Sequence, residues 1–149
     1  MAHTSSSDTA PASAEAAEAA YYEALQRGDL DALMRLWSDD YEPVCVHPGG
    51  PRLVGTAAIR HGFEQLLADG PLQVFPDRIV RTVALGCAVH NVVERVQLAD
   101  PEDGQRYALV LATNVYLKGP DGWRLVLHHA SPATAHEAAE LLAAQERLH

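Results

Sequence analysis

Apolar positions recur at helical spacing through the first third of the chain and gather into long strand-like runs through its second half. Ser13 is a good N-cap, Ala17, Ala20, Tyr21, Ala24 and Leu25 follow on one helical face, and Gly28 supplies the glycine that ends a helix. Asp29 starts a second, short helix with Leu30, Leu33, Leu36 and Trp37 as its apolar face. Residues 43–47 predict a short strand. Pro48-Gly49-Gly50-Pro51 predicts irregular backbone, because two prolines and two glycines cannot continue a ladder. A third helix is expected from about Thr56 to Ala68, carrying Ala58, Ile59, Phe63, Leu66 and Leu67 and ended by Gly70-Pro71.

Strands are then expected over roughly Leu72–Leu85, with a break at Pro76-Asp77, and over Cys87–Leu98, Arg106–Lys118 and Trp123–Ser131. Turns fall at residues 100–104 and at Gly119-Pro120-Asp121-Gly122. Pro132 closes the last strand, and residues 133–148 turn helical again, outside the core pattern, where they would cover a sheet edge or a partner. Helices first and a meander last argue for an α+β fold with a curved antiparallel sheet, not a parallel α/β sheet. The late strands are apolar on both faces, whereas an antiparallel sheet normally leaves one face polar. Helices would therefore cover one face and a second copy of the chain the other. The expected organisation is a disordered tail over residues 1–12, a domain over 13–132 and a helical extension over 133–149.

Composition narrows the partners. The 149 residues carry a formal net charge of −9, which repels phosphate backbones and argues against nucleic acid. No apolar run approaches the roughly 20 residues that cross a bilayer, and no basic stretch leads into an apolar one at the N-terminus, so no membrane association is expected and the cytoplasm is the expected location. Cys45 and Cys87 lie in apolar strand-like runs and read as buried thiols whose spacing fits no zinc motif. Nothing calls for a cofactor.

Three motifs carry a resemblance. Tyr21-Tyr22-Glu23-Ala24-Leu25-Gln26-Arg27-Gly28-Asp29-Leu30-Asp31 followed by Trp37-Ser38-Asp39-Asp40, then Gly55-Thr56-Ala57-Ala58-Ile59-Arg60, and finally Gly122 to Pro132 resemble, in that order, the NTF2-like superfamily and its SnoaL-like, ketosteroid-isomerase-like branch. The resemblance implies a cone: a curved sheet with three helices in its hollow, a deep pocket, and a homodimer formed through the sheet's outer face. In the family's steroid isomerases a carboxylate base moves a proton while a tyrosine and a protonated aspartate hold the enolate oxygen. By the resemblance the tyrosine falls at Tyr21, the base at or near His47 and the protonated aspartate near Thr113. Only the tyrosine survives, so that family's usual steroid reaction is not what these residues support.

Of the residues that remain, His47 is a candidate general base, since imidazole titrates near neutrality, and Tyr21 a candidate oxyanion donor. His128 and His129 are strand neighbours and must face opposite sides. His129 shares parity with Trp123, Leu125, Leu127 and Ser131, the face that lines the pocket by the resemblance, so His129 is the expected third catalytic residue and His128 a structural one. Trp37, Phe63, Leu111, Thr113, Trp123 and Ser131 are expected to contact the ligand, with His90 and Asn91, one of which must point inward. Glu94 lies mid-strand, where a charge needs a partner or water, and reads as half of a Glu–Arg pair at the dimer face in preference to the alternative, a catalytic carboxylate. A metal held by His47, His90 and His129 has only weak support, because no short-range ligand spacing accompanies them. Three readings stay open. The first is an isomerase or lyase acting on a small apolar carbonyl compound. The second is a non-catalytic module that binds a small apolar ligand or a partner. The third is a structural dimer with a filled pocket.

Overall fold

A computed structural model of the chain describes residues 10–100 and 104–148. Ser13 caps α1 (Ala14–Arg27), its hydroxyl accepting from the Ala16 amide at 3.0 Å, and Gly28 ends the helix at φ 69°. Asp29 then caps α2 (Leu30–Arg35) by accepting from the Ala32 amide, so two helices meet with almost no loop. The short β1 (Val44–Val46) follows. The Pro-Gly-Gly-Pro segment is irregular as expected, but a further strand, β2 (Arg52–Val54), comes between it and α3 (Thr56–Leu66). Four long strands, β3 (Val74–Ala84), β4 (Cys87–Asp100), β5 (Gly104–Gly119) and β6 (Gly122–Pro132), form the meander, and α4 (Ala135–Leu148) ends the chain.

The six strands form one curved sheet in the order β2-β1-β6-β5-β4-β3. It is mixed, not wholly antiparallel: β1 runs parallel to β6, pairing Val44 with Leu127 and Val46 with His129. The helices fill its hollow. Tyr21, Leu25, Leu33, Trp37, Ile59 and Phe63 pack with Val92, Ala112, Tyr116 and Leu125 into one buried cluster.

Two irregularities set which side chains point inward. In β3 the pairing slips between Asp77 and Val80, at the break expected near Pro76, and Arg78 takes a φ of 47°. In β6, Leu125 pairs with Tyr116 and Leu127 with Val115, so Val126 is an extra, bulged residue. A one-residue bulge reverses the inside–outside alternation beyond it. Trp123 and Leu125 point inward before the bulge; His128 and Ala130 do so after it.

Ala10 and Pro11, within the segment expected as a tail, are held. Ala10 is buried, and the Pro11 carbonyl accepts from the Trp123 amide at 2.9 Å. At the other end, the Arg78 guanidinium donates to the Leu141 carbonyl at 2.9 Å, tying α4 to the β3 irregularity.

Candidate active site

A cavity of about 310 Å³ lies between α1, α3 and the concave face of the sheet. Its walls are mostly apolar: Leu25, Phe63, Leu72, Val74, Val96 and Val110 among them. Four side chains bring polar atoms: Tyr21 from α1, His47 from just beyond β1, Glu94 from β4 and His128 from β6. Among the described residues, none that lines the cavity is a lysine or arginine. The ring centroids of Tyr21 and His128 lie 5.6 Å apart and those of His47 and His128 6.1 Å apart. The His47 ring stands edge-on to Phe63 at 4.7 Å, and its Nε2 is 3.6 Å from the Cys45 thiol.

Burial sets the protonation of these groups. Loss of water pushes the Glu94 carboxyl up from 4.5 to about 7, against the hydrogen bond from Tyr22 that favours its ionised form. The same loss pushes His128 down from 6.5 to about 3, with the neighbouring His47 and His129 acting in the same direction, and lowers His47. Tyr21 is raised well above 10.0, first by burial, so its hydroxyl keeps its proton as a donor. The Cys45 thiol is pushed up to about 12 by burial, which rules it out as a thiolate nucleophile near neutrality. At neutral pH the cavity therefore holds two uncharged imidazoles, a phenol and one carboxyl group near its midpoint.

Glu94 is not isolated. The Tyr22 hydroxyl donates to its Oε2 at 2.7 Å, the Asn114 side-chain amide donates to the Tyr22 oxygen at 3.0 Å, and Asn114 Oδ1 pairs with His128 Nδ1. Because Asn114 presents an oxygen to the ring, His128 Nδ1 carries the proton and Nε2 is left bare.

Several expected site residues lie elsewhere. His129 is exposed on the outer face: the Val126 bulge turns His128 into the cavity in its place. Asn91, Thr113 and His129 sit side by side across that outer face, with Asn91 donating to Thr113 at 3.1 Å, and Leu111 and Ser131 form the next row. All five are on the wrong side of the sheet to touch a ligand in the hollow. His90 does point inward, but it is fully buried at the far end, its Nδ1 2.8 Å from Glu18, whose other oxygen takes Arg81 at 2.8 Å. His47, His90 and His129 thus do not converge. Trp37 and Trp123 are buried in the core, outside the cavity lining. Tyr21, His47 and Phe63 line the cavity. Glu94 corrects the opposite way: its side chain is buried inside, while its neighbour Arg95 lies 3.7 Å from Asp77.

A family model described as the SnoaL-like domain matches residues 14–135, most of the chain. The chain belongs to the SnoaL-like domain family. Among solved structures it is similar to a provisionally assigned dehydratase of the NTF2-like family from Streptomyces avermitilis, with 33% identity, a TM-score of 0.71, and coverage of 80% of this chain and 93% of that one. It is also similar to a provisionally assigned calcium/calmodulin-dependent protein kinase type II association domain from Thiobacillus denitrificans, with 34% identity, a TM-score of 0.68 and coverage of 83% and 97%. A ketosteroid isomerase-like protein from Erwinia carotovora atroseptica, at 21% identity, TM-score 0.63 and coverage of 80% and 93%, shares the fold. No curated protein matches the chain in sequence.

In this SnoaL-like domain the sequence reading gives Tyr22 no site role and His128 a structural one, ranks Glu94 as an ion pair at the dimer face ahead of a catalytic carboxylate, and chooses Thr113 over its neighbour Asn114. A signal existed for Glu94: a lone carboxylate among Val92, Val93 and Val96 in a strand has to be paired, protonated or functional. For His128 the deciding fact, the bulge at Val126, leaves no mark in a run of apolar residues. Among the described residues no helix is long and apolar enough to cross a membrane.

Proposed function

We propose that this protein binds a small, uncharged, largely apolar carbonyl compound in the cavity and catalyses a proton shift on it, as an isomerase or lyase. The observation that carries this reading is the Glu94 carboxyl, buried in an apolar cavity and raised to about 7. A general base works best with its proton affinity near the working pH, and burial places Glu94 there. Tyr21 supplies a proton-bearing hydroxyl for a developing oxyanion, and the bare Nε2 of His128 accepts a proton or hydrogen bond. His47, half-buried and uncharged, is a second base on the same wall. The mostly apolar lining of the described residues, with its uncharged imidazoles and phenol, favours an uncharged guest over phosphate- or carboxylate-bearing ligands, which need cationic partners. A volume of about 310 Å³ is at the small end of ligand pockets, which limits the guest to a compact molecule.

The test is hydrogen–deuterium exchange at the α-carbon of a panel of cyclic and aromatic ketones, followed by proton NMR in D₂O. Catalysed exchange that disappears in Glu94→Gln supports the reading. Saturable binding without exchange assigns the protein to the alternative, a non-catalytic ligand-binding module. The likeness to a provisionally assigned kinase association domain favours that alternative as a second reading. Neither binding nor exchange across the panel overturns both.

The reading includes a homodimer through the outer sheet face. Val89, Val115 and Leu127 lie there only half-buried, apolar surface of the kind a second copy covers. Sedimentation of the full chain should give a dimer, and Leu127→Glu a monomer. A monomer in both rejects it. The two thiols, free among the described residues, fit a reducing compartment such as the cytoplasm.

A further inference from the structure

The cavity's carboxyl and its deepest histidine are joined by a continuous hydrogen-bonded chain that has two self-consistent directions. In the direction present, Tyr22 donates to Glu94, Asn114 donates to Tyr22, and His128 Nδ1–H donates to Asn114 Oδ1. Every donor points toward the carboxylate, as an ionised Glu94 requires, since a carboxylate only accepts. A protonated Glu94 has an O–H of its own. If it donates to the Tyr22 oxygen, the Tyr22 hydroxyl turns to Asn114, which must now offer its oxygen there. The amide is then flipped, and its NH₂ faces His128 Nδ1. A nitrogen that receives a hydrogen bond is bare, so the His128 proton sits on Nε2.

We propose that the Glu94–Tyr22–Asn114–His128 chain makes the tautomer of His128 follow the protonation state of Glu94, with Tyr22 and Asn114 as the positioning residues that transmit it. The proton count balances. Glu94 takes one proton from solvent, the Tyr22 hydroxyl and the Asn114 amide only rotate, and His128 loses Nδ1–H and gains Nε2–H by exchange with water in the cavity. The imidazole stays neutral throughout. The consequence is a cavity whose polarity inverts. With Glu94 ionised, His128 Nε2 accepts from a ligand hydroxyl. With Glu94 protonated, Nε2–H donates to a ligand carbonyl.

The surroundings leave this chain as the route between the two groups. The titratable groups facing Glu94 are Tyr21 and Tyr22 from α1, Cys45 and His47 from the β1 side, Tyr116 from β5 and His128 from β6. Burial raises the phenols and the thiol and lowers both histidines, so all are uncharged near neutrality. The neighbouring strand residue Arg95 lies by Asp77 and over the rings of Phe75 and Tyr107. Glu18 is engaged with Arg81 and His90. The Glu94 carboxyl is set by its burial and by the Tyr22 hydrogen bond.

The inference deepens the proposed function and rests on the same cavity, but its test reads the unliganded protein, so failure here leaves ligand binding to be judged separately. The experiment is two-bond proton–nitrogen correlation NMR of ¹⁵N-histidine-labelled full chain from pH 5 to 9, with the Glu94 carboxyl followed by ¹³C in parallel. The expected result is a reversal of His128 from Nδ1–H to Nε2–H as pH falls through the Glu94 midpoint. The tautomer ratio should change by about tenfold or more, as a difference of one pKa unit produces, with no imidazolium stage. In Glu94→Gln the ratio should not vary with pH. In Tyr22→Phe, which removes only the connecting hydroxyl, Glu94 should still titrate while the ratio stays fixed. A constant ratio in the unaltered protein while Glu94 titrates overturns the proposal. So does a reversal that survives in Tyr22→Phe.

Discussion

Replacing Glu94 with glutamine keeps the side chain's shape and an oxygen to accept from Tyr22, and removes only the titration. In the folded protein the Glu94 carboxyl is raised from 4.5 to about 7, so between those values the folded state holds a proton that the unfolded state has released. Stability must therefore fall as pH rises through that window and level off above it. The gap between 4.5 and about 7 corresponds to about 3 kcal/mol at full extent. His128 runs the other way. Pushed down from 6.5 to about 3, it contributes stability that is present above 6.5 and lost as pH falls toward 3. The two slopes oppose each other between about 4.5 and 6.5, so the unaltered protein alone shows a deceptively flat profile there. The informative quantity is the stability of Glu94→Gln minus that of the unaltered protein, in which His128 and His47 cancel. Urea unfolding followed by circular dichroism, at one fixed protein concentration and from pH 4 to 8, measures it. The difference should climb by about 3 kcal/mol between pH 4.5 and 7 and then stay constant. A difference that moves by less than about 1 kcal/mol would refute the claim that Glu94 is held in a desolvating cavity.

Tyr22→Phe removes the bond that favours the ionised Glu94, so the Glu94 midpoint should rise further on ¹³C titration, and chemical unfolding should show a loss of about 1–3 kcal/mol from the unpaired Asn114 and Glu94. His129→Ala should leave ketone exchange unchanged while His128→Ala lowers it by at least about tenfold, because only His128 faces the cavity. Glu18→Ala leaves His90 and half-exposed Arg81 without their shared partner and should cost about 2 kcal/mol in urea unfolding. Gly122→Ala should be destabilising by about 1–3 kcal/mol in the same assay, since φ is 137° and a Cβ there would lie 2.5 Å from the Pro11 carbonyl oxygen.

Much of this architecture is local and therefore legible along the chain. Ser13, Gly28 and Asp29 mark the helical hairpin through capping chemistry that needs no distant partner. The strand breaks at Pro76, Gly119–Gly122 and Pro132 follow from backbone limits that each residue carries with it. Tyr21, His47 and Phe63 reach the cavity because their positions depend on helix periodicity and on a short strand close to a turn.

The rest depends on neighbours that the sequence does not order. Strand parity is certain only while pairing is regular, and the extra residue at Val126 exchanges the roles of His128 and His129, just as the inward set on β5 proves to be Asn114 and not Thr113. Glu94 has the composition of a surface ion pair and becomes a cavity acid only because the sheet curls its face toward Tyr22. The amino-acid sequence determined, to within a few residues, where the helices and the long strands begin and end, since backbone sterics and capping set those limits locally; the three-residue β2, made by its pairing with β1, was not among them. Only the tertiary structure decided which face of each strand is the inside and which polar groups lose their water, because both follow from pairing register and burial among residues far apart in the chain.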